Sequence, residues 1–449
     1  MANKRKKINR QSNLKHKKRA TNSGITTKID DVNLDCLEHI FRFLHLEDLI
    51  NVAQGNKHLK AAANMTFNHK FKMPIRLQNF NDVGECITIC NQRNAIIIRN
   101  LKFIFKFLRL FGENISIVEV WPNDIRKAFK PEDIDIITYE RILFYISEYC
   151  SKSLTSFTVI RHPDNVFIGM KNRFENVEIV ETRMGNIASE TLLQLESLFP
   201  RMRELRLIFY RSKVEFIKFP RLERLRIGII GNNISNRENL VTAITLNAHL
   251  WGFELRDACD PNIWKLISTE MRSLKYLHMF YSFVHFKGFE NTPIHFESVE
   301  ELSLDLLRRN IEPKLIGVLT FSRLKVCTFY FFSKHLTPLL DFVAANPQIE
   351  KLVLFISLLN KNDLNTIGLA VEQYAALNPI QIELYLCSVI CNVDDFLRFF
   401  KTNQYLSKIE AGFGNMSEIE YVRKQIAPEW KIIKIQSIIR KHFITISRL

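Results

Sequence analysis

A short apolar pattern recurs along this chain with a constant period. Apolar residues occupy its first, fourth and sixth positions, and the first position moves from Leu274 by 25 residues to Val299, by 25 to Leu324 and by 25 to Ile349. Side chains alternate between the two faces of a β-strand, so positions four and six point to the same buried face. A constant period of this length indicates stacked units, each too small to bury its own apolar face.

The pattern extends over much of the chain. Its regular copies are Leu222-x-x-Leu225-x-Ile227, Leu274-x-x-Leu277-x-Met279, Val299-x-x-Leu302-x-Leu304, Leu324-x-x-Cys327-x-Phe329 and Ile349-x-x-Leu352-x-Leu354. Less regular copies are Ile115-x-x-Val118-x-Val120, Leu154-x-x-Phe157-x-Val159, Met202-x-x-Leu205-x-Leu207, Leu250-x-x-Phe253-x-Leu255, Leu406-x-x-Ile409-x-Ala411 and Trp430-x-x-Ile433-x-Ile435, with blurred units near Val177 and at 382–386. Segments with helical spacing lie between copies, such as 337–345 and 393–402, which predicts an α/β fold.

The composition is that of a globular chain without a catalytic signature. The chain has 449 residues, of which 47% are hydrophobic and 24% charged, close to the usual values. Only 14 residues are glycine, and neither GxxxxGKS/T nor GxGxxG occurs, which argues against nucleotide binding. HExxH and GxSxG are also missing. Repeat arrays generally present extended binding surfaces, so we expect a binding protein without a cofactor rather than an enzyme.

Basic residues are concentrated at the N-terminus. Residues 1–28 contain ten Lys or Arg and no acid, which leaves +6 of the total charge of +16 for the remainder. With few large apolar side chains, this tail is predicted to be disordered. The clusters 4–7 and 15–19 have the spacing of a bipartite nuclear import signal. Nonspecific contacts with nucleic-acid phosphates and simple solubilisation are the competing interpretations.

Cysteine usage favours a reducing compartment. Eight cysteines without an apolar signal segment do not resemble a secreted disulfide framework, so a nuclear and/or cytoplasmic location is expected. The CxxxC pairs Cys86/Cys90 and Cys387/Cys391 lack further His or Cys at zinc-ligand spacing, so we expect buried small side chains rather than a metal site. No apolar run approaches the roughly 20 residues of a membrane span, so no membrane partner is expected.

A small helical module is predicted from residue 29. The apolar positions of its first helix are Leu34, Leu37, Ile40, Phe41 and Leu44, with Asp30 and Asn33 as candidate N-caps. A second helix begins near Leu46 and carries Leu49, Ile50, Val52 and Ala53, and it ends at Gly55 and Asn56; a third covers 57–67. A core of roughly 40 residues is marginal alone, which indicates that a partner or the following domain completes it.

The run DDVNLDCLEHIFRFLHLEDLINVAQGNKHLKAAA, within 29–71, resembles an F-box motif. Leu37, Ile40 and Leu44 match the apolar positions of the first F-box helix, and Leu46, Asp48 and Leu49 match the step into the second. Val32-Asn33 replaces the leading Leu-Pro of the family, and His58 or Leu59 replaces an aromatic residue of the third helix. The resemblance implies docking to the Skp adaptor, and through it to a cullin scaffold. The implied adaptor-binding residues are Leu34, Leu37, Ile40, Leu44, Leu46, Leu49 and Val52.

The repeats resemble a leucine-rich repeat horseshoe, with a parallel sheet on the concave face and helices on the convex face. The Asn or Cys that the family carries at the ninth repeat position is mostly absent. Tyr210, Ile230, Ser282, Leu307, Phe332 and Ser357 stand there instead, so irregular turns are expected. The predicted organisation is a disordered basic tail over 1–28, an F-box-like module over 29–72, a helical linker over 73–112 and a repeat array over 113–449.

The third, fifth and seventh positions of each repeat are predicted to be exposed on the concave face. Arg206, Arg224, Arg226 and Arg256 occupy such positions in three units and would suit an acidic or phosphorylated target. The competing interpretation is a solvated face neutralised by its own Glu204 and Glu254. Tyr276, His278 and Tyr330 form an aromatic stretch, either as anchors for a target or as part of a local core.

The segment 99–109 carries basic residues in one stripe and is otherwise apolar. A helix packed between the helical module and the first repeat is the preferred interpretation, and a membrane-surface helix is the alternative.

The resemblance implies a substrate-recognition subunit of an SCF-type (Skp-cullin-F-box) ubiquitin ligase, which presents a target protein for ubiquitination and proteasomal degradation. The alternative is a nuclear or nucleic-acid-associated repeat scaffold that uses the basic tail and has no ligase role. A repeat-based inhibitor of one enzyme is a weaker third interpretation.

Overall fold

The structure is a computed structural model in which the chain divides into two compact units, with the division after Lys70. It describes residues 29–70, 75–78, 87–90, 95–98, 101–121, 137–162, 167, 170, 172–184, 189–210, 215–230, 235–256, 261–280, 293–305, 318–331, 336–356, 361–377, 380–387, 392–403, 405–426, 430–438 and 441–448. The tail predicted to be disordered, 1–28, lies outside the described residues.

The described part of the first unit, 29–70, contains three α-helices, α1 Leu34–Phe41, α2 Leu46–Ala53 and α3 Lys57–Lys70. Both α1 and α2 pack against α3. Their buried apolar side chains are Leu37, Phe41, Leu46, Leu49, Ile50, Ala53, Ala62, Ala63 and Phe67, each at most 3% exposed. The predicted three-helix pattern is therefore present, with α3 three residues longer than expected.

Polar side chains define where these helices begin and end. Asn33 caps α1, because its side-chain oxygen accepts a hydrogen bond from the N–H of Asp35 at 3.1 Å. Asn56 does the same for α3, accepting from the N–H of Leu59 at 2.8 Å. At the far end of α3, the Lys70 ammonium donates to the carbonyl of Leu44 at 2.7 Å.

A carboxylate joins α1 to α3. Glu38 is only 6% exposed, and its Oε1 lies 2.6 Å from His69 Nδ1 and 2.7 Å from Arg42 Nη2. The hydrogen bonds from His69 and Arg42 hold the pKa of Glu38 below its ordinary value. These contacts explain how a charged side chain is accommodated on the packed side of α1.

The second unit alternates strands and helices. Its strands are β1 Ile75–Gln78, β2 Ile87–Cys90, β3 Ala95–Ile98, β4 Ile117–Val120, β5 Ser156–His162, β6 Ile179–Met184, β7 Glu204–Tyr210, β8 Arg224–Ile230, β9 Gly252–Arg256, β10 Tyr276–Phe280, β11 Ile294–Phe296, β12 Glu301–Asp305, β13 Leu319–Phe321, β14 Val326–Phe331, β15 Lys351–Ile356, β16 Gln381–Leu386, β17 Leu406–Phe413, β18 Trp430–Ile438 and β19 Lys441–Arg448. Its helices are α4 Leu101–Phe111, α5 Ile137–Cys150, α6 Ser189–Leu198, α7 Ser235–Leu246, α8 Pro261–Glu270, α9 Leu336–Ala345, α10 Lys361–Leu377, α11 Val393–Thr402 and α12 Met416–Gln425.

Within the described ranges, seventeen of these strands form one sheet, and β11 and β13 form a separate parallel pair. From β4 to β17 each strand of the large sheet runs parallel to the next. Leu277, Leu302, Cys327 and Leu352 are paired across β10, β12, β14 and β15, so the 25-residue period is kept in register. The predicted α/β fold is confirmed as a mixed fold with a long, mostly parallel sheet.

The fourth and sixth positions of the pattern form the core beneath the sheet. From β7 to β15 these residues are at most 1% exposed: Leu205, Leu207, Leu225, Ile227, Phe253, Leu255, Leu277, Met279, Leu302, Leu304, Cys327, Phe329, Leu352 and Leu354. Strands lie about 4.8 Å apart, so equivalent side chains from neighbouring units touch. Each fully buried Leu or Phe contributes roughly 1.5–3 kcal/mol, and this burial joins the units into one core.

In the stretch 73–112, expected as a helical linker, the residues described before α4 form the strands β1, β2 and β3. β1 pairs in parallel with β4 and antiparallel with β2, and β2 pairs with β3. The prediction of a helical linker is therefore wrong for these strands and holds only for α4. Strands of four residues provide too few side chains for a periodic signal to be recognised in a sequence.

The helix predicted within 99–109 is confirmed as α4, Leu101–Phe111. Its buried residues are Ile104, Phe107, Leu108 and Phe111, and its exposed basic residues are Lys102, Lys106 and Arg109. The helix packs against α5. Its wide apolar face is therefore occupied within the second unit.

The last predicted copy of the pattern does not join the parallel array. β19 pairs antiparallel with β17, and β18 pairs antiparallel with β19. Ile433 falls at an irregularity in this pairing and is 57% exposed. The repeat array predicted to reach residue 449 thus ends at β17 and is followed by a hairpin, because apolar spacing within a strand carries no information on its direction.

Buried asparagines connect neighbouring units at the turns that precede strands. The side-chain oxygen of Asn247 accepts the N–H of Phe219 at 2.9 Å, and that of Asn346 accepts the N–H of Phe321 at 3.1 Å. Both asparagines are fully buried and stand three residues before the first apolar position of a unit. Asn403, 2% exposed, has the same placement. Asparagine therefore bonds the backbone before the strand rather than at the ninth position.

Replacing Asn346 by Ala would leave the N–H of Phe321 without its acceptor inside the fold. We expect the free energy of unfolding to fall by about 1–3 kcal/mol, the usual cost of an unpaired buried polar group. Urea denaturation followed by circular dichroism measures this change. Asn365→Ala, at an exposed position of α10, is the control and should change the value by less than about 0.5 kcal/mol. Equal urea midpoints for Asn346→Ala and the wild type would contradict this role.

Candidate functional site

The candidate site is the open face of the sheet. We define it as the side chains at the third, fifth and seventh positions of the repeat pattern, which lie opposite the buried side chains at the fourth and sixth positions. The pairing register places Arg206, Arg226, Glu254 and His278 side by side on β7, β8, β9 and β10. Residues separated by up to 72 positions in the chain therefore form one continuous row. Most side chains of this face are partly exposed.

Glu254 is the centre of a charged cluster on this face. Its carboxylate lies 2.5 Å from Arg226 Nε, 2.8 Å from Arg256 Nε and 3.7 Å from His278 Nδ1, and its side chain is 9% exposed. Burial by itself raises the pKa of Glu254, but the hydrogen bonds from Arg226 and Arg256 outweigh it and leave the pKa below its ordinary value. The carboxylate is therefore ionised at neutral pH and holds three basic side chains in place.

Two further carboxylates bind the remaining arginines. Glu204 lies 2.6 Å from Arg206 Nε and 3.9 Å from Arg224 Nη1. Glu181, at the fifth position of β6, lies 2.9 Å from Arg183 Nη2 and 3.5 Å from Arg206 Nη1. Sequence reasoning missed Glu181 because the apolar pattern of the unit near Val177 is irregular. Counting from Val177 as the first position would have placed Glu181 at the fifth position, on the open face.

All four predicted target-binding arginines of β7 to β9 thus contact a carboxylate of the same face. The prediction of a cationic patch for an acidic or phosphorylated target does not match this geometry, because Glu181, Glu204 and Glu254 neutralise much of the charge. The competing interpretation, a face neutralised by its own acids, describes the arrangement better. Its physical basis is the register, which pairs Glu181 with Arg206, Glu204 with Arg224 and Glu254 with Arg226 on neighbouring strands.

Arg224 also packs on aromatic rings. Its guanidinium carbon lies 4.6 Å from the ring centre of Tyr276 and 5.0 Å from that of Trp251. Gly252 lies between β8 and β10 at this level, and a Cβ there would stand 2.8 Å from Arg224 Cγ. The missing side chain of Gly252 is what allows Arg224 to reach Tyr276. The cavity left beside them has a volume of about 20 Å³, room for little more than one water molecule.

His278 occupies the edge between the charged cluster and an aromatic ladder. It is 7% exposed, and burial lowers its pKa to about 4, with the positive charges of Arg226 and Arg256 acting in the same direction and Glu254 opposing them. Its ring lies 6.2 Å from that of Tyr330, at an interplanar angle of 15°. The imidazole is therefore neutral at physiological pH.

Tyr330, Phe355 and Tyr385 form this aromatic ladder on β14, β15 and β16. Successive ring centres are 4.4 Å apart, with interplanar angles of 12° and 15°. All three are partly exposed, so they belong to the open face rather than to the core. Sequence reasoning found Tyr330 but missed Phe355 and Tyr385. The signal for Phe355 was its position 25 residues after Tyr330.

Charged groups close the far end of the ladder. The Lys408 ammonium lies 4.8 Å from the ring centre of Tyr385 and donates to its hydroxyl at 2.6 Å. That hydroxyl donates to Glu383 at 2.9 Å, and Glu383 also pairs with Lys351 at 2.6 Å. Burial raises the pKa of Glu383, but hydrogen bonds with Lys351 and Tyr385 lower it further than burial raises it.

The residues exposed on the helical module differ from those that were predicted to bind an adaptor. Leu37, Leu46 and Leu49 are at most 2% exposed, so they are not available to a partner, and their assignment as contact residues is wrong. Leu34, Leu44 and Val52 are partly exposed. Ile40 is 54% exposed, and Phe43, which sequence reasoning missed, is 79% exposed. Apolar spacing identifies a helix face but does not distinguish a core from an interface.

Neither the comparison with protein-family models nor that with curated proteins found a match to this chain. In the part of the chain that the structure describes, no group of three or more His, Cys, Asp or Glu side chains is placed to hold a metal ion. Cys86 and Cys391 lie outside the described residues, and Cys387 is exposed, contrary to its expected burial. Within the same ranges, no helix has the length and apolar character needed to cross a membrane.

The buried neutral His278 predicts a pH dependence of stability. The unfolded chain protonates this imidazole near pH 6.5, whereas the folded chain does so only near pH 4. Acid therefore favours the unfolded state, and His278 should lower the free energy of unfolding by about 2 kcal/mol between pH 7 and pH 5. Glu254, with its lowered pKa, acts in the same direction only at still lower pH.

Urea denaturation of the wild type and of His278→Gln at pH 7 and pH 5 tests this expectation. The variant should lose less stability over that interval, because Gln does not titrate. Circular dichroism at pH 7 establishes that the variant is folded. The same pH dependence in both proteins would show that His278 is not responsible.

Proposed function

We propose that this chain is the substrate-recognition subunit of an SCF-type (Skp-cullin-F-box) ubiquitin ligase. The helical module would bind the Skp adaptor, and the open face of the sheet would bind a target protein for ubiquitination and proteasomal degradation. The subunit itself would carry no catalytic residue, since ubiquitin transfer would take place on other components. A nuclear and/or cytoplasmic location suits this role.

The observation that carries the proposal is an exposed apolar stripe on a compact module that precedes the repeat array. Cys36, Ile40 and Phe43 follow one another at intervals of four and three residues, which places them on one side of α1 and the turn after it. All three are exposed. Water-exposed apolar side chains on a small unit are typical of a surface that another protein covers.

The array supports the second half of the proposal. Its strands place charged and aromatic side chains on one continuous face, while the apolar positions are used for the core. The small cavity beside Arg224, about 20 Å³, is too small for a metabolite. An extended face of this kind suits a protein segment, because many separate side chains can contact it along its length.

The double variant Ile40→Asp with Phe43→Asp tests the adaptor contact. Charges introduced at two exposed positions should leave the module folded and reduce adaptor affinity at least about tenfold, because each would be desolvated in an apolar interface. The measurement is co-purification of the full chain with the Skp adaptor, followed by titration of the purified proteins.

Leu193→Asp is the matched control, since Leu193 is 54% exposed on α6 of the second unit and should not affect the adaptor. Variants of Leu37 or Leu49 are unsuitable, because their effect on core packing would be mistaken for a loss of contact. No association of the wild type, or unchanged association of the double variant, would refute the proposal.

A second candidate function follows from the charge of residues 1–28, which contain ten Lys or Arg and no acid. A nucleic-acid-associated scaffold would use this tail for salt-dependent binding to DNA or RNA. Binding that weakens steeply with salt and vanishes when 1–28 are deleted, without any adaptor association, would favour this function over the first.

A further inference from the structure

The net positive charge outside the N-terminal tail is concentrated at the C-terminal end of the chain. Residues 423–449 contain seven Lys or Arg and one Glu, a net charge of +6. This equals the net charge of the whole stretch 29–449, so the residues between, 29–422, are neutral in sum. A local excess of this size attracts an anionic partner to the C-terminal hairpin.

Strand pairing directs two of these lysines to the open face. Lys431 is paired with Ser447 and Lys434 with Thr445, and directly paired residues share a face of the sheet. Ile444 and Ile446 are fully buried, so the alternating Thr445 and Ser447 face the other way. The irregularity at Ile433 explains how Lys431 and Lys434 lie on the same side despite a spacing of three.

These lysines continue the surface that the aromatic ladder begins. Ser447 is also paired with Lys408, and Thr445 with Glu410, on β17. Glu410 in turn is paired with Tyr385 of the ladder. The open face from β14 to β18 therefore carries Tyr330, Phe355 and Tyr385 followed by Lys408, Lys434 and Lys431. We name this set the ladder-lysine surface.

The charge of the ladder-lysine surface differs from that of the arginine cluster. Lys431 and Lys434 are exposed, and neither forms an ion pair with a described residue. The nearest acid of the same face, Glu410, accepts a hydrogen bond from the Thr445 hydroxyl at 2.9 Å. Glu383 is held by Lys351 and lies 4.0 Å from Lys408. The two exposed ammonium groups are thus available to an external anion.

The aromatic rings favour a peptide over a nucleic acid. Bases bind aromatic side chains by stacking on an open ring face. Here the ring faces of Tyr330, Phe355 and Tyr385 are stacked on one another at 4.4 Å, and Lys408 lies over the ring of Tyr385. The edges that remain carry the positive side of the ring quadrupole. Carboxylates suit such edges and the neighbouring ammonium groups.

We infer that the ladder-lysine surface binds an extended, carboxylate-rich peptide segment, with Lys431 and Lys434 as its principal charged contacts. The inference names the class of target and the region that binds it, and it rests on the proposed function for the role of that target as a ligase substrate. Peptide binding requires no adaptor, so the two proposals can fail separately.

The probe is a fluorescein-labelled peptide of alternating Glu and Ser, compared by fluorescence anisotropy with a peptide in which Gln replaces every Glu. The full chain should bind the Glu peptide more tightly than the Gln peptide. Lys431→Glu with Lys434→Glu should weaken binding of the Glu peptide at least about tenfold, since the variant replaces two attractions by two repulsions.

Lys401→Glu with Lys424→Glu is the matched control, because it makes the same change of net charge at exposed positions on α11 and α12. This control should weaken binding less than about twofold by loss of long-range attraction alone. The tail is the same in every variant, so it does not contribute to the difference. Circular dichroism establishes that both variants are folded.

Equal losses in the two double variants, or no loss in either, would overturn the inference. A nucleic-acid probe, fluorescein-labelled oligouridylate, gives a further test. If it bound more tightly than the Glu peptide and Lys431→Glu with Lys434→Glu abolished its binding, the surface would be a nucleic-acid site and the inference would be overturned. A third outcome separates the two proposals. If the chain never associates with the Skp adaptor but binds the Glu peptide, and the Lys431→Glu with Lys434→Glu variant loses that binding, the inference is supported and the ligase assignment is refuted.

Discussion

In-register pairing of parallel strands is the constraint on which the rest of the structure depends. Because Leu277, Leu302, Cys327 and Leu352 are backbone neighbours, every unit adds its apolar side chains to one core, and no unit can shift by one residue without exposing them. The buried asparagines before β9 and β15 reinforce this register by bonding one unit to the backbone of the one before. The hairpin of β18 and β19 ends the parallel run by changing strand direction.

The same register arranges the open face, and this has opposite results at its two ends. From β6 to β9, acids and arginines are neighbours, so the arginines form ion pairs with Glu181, Glu204 and Glu254 of the same face. From β14 to β18, the rings of Tyr330, Phe355 and Tyr385 stack on one another. Lys431 and Lys434, on β18, form no ion pair with a described acid. The positive charge of the first region is therefore largely neutralised by pairing, whereas part of the positive charge of the second region is not. The contrast indicates that the N-terminal part of this face stabilises the sheet, whereas the C-terminal part is suited to an anionic peptide.

The predictable part of the fold is the part that repeats. Alternation and period identified the strands, the buried positions and helices such as α11, because each copy confirms the others. Features that occur once were missed. Four-residue strands β1 to β3 were taken as a helical linker, and Trp430-x-x-Ile433-x-Ile435 was taken as another unit of the array. In the helical module, Leu37 and Leu49 were assigned to a partner, although they belong to the packed side, and Phe43 was overlooked because it lies beyond the periodic stripe.

By itself, the sequence determined the period, the identity of the core residues and the division into a helical module and a repeat array, because these depend on spacing along the chain. Only the tertiary structure decided which charges are neutralised, which rings stack and which lysines remain available. Those properties depend on contacts between residues 20 to 40 positions apart, such as Glu254 with Arg226 and Lys408 with Tyr385. Strand direction and pairing set these contacts, and a local pattern of apolar residues encodes neither.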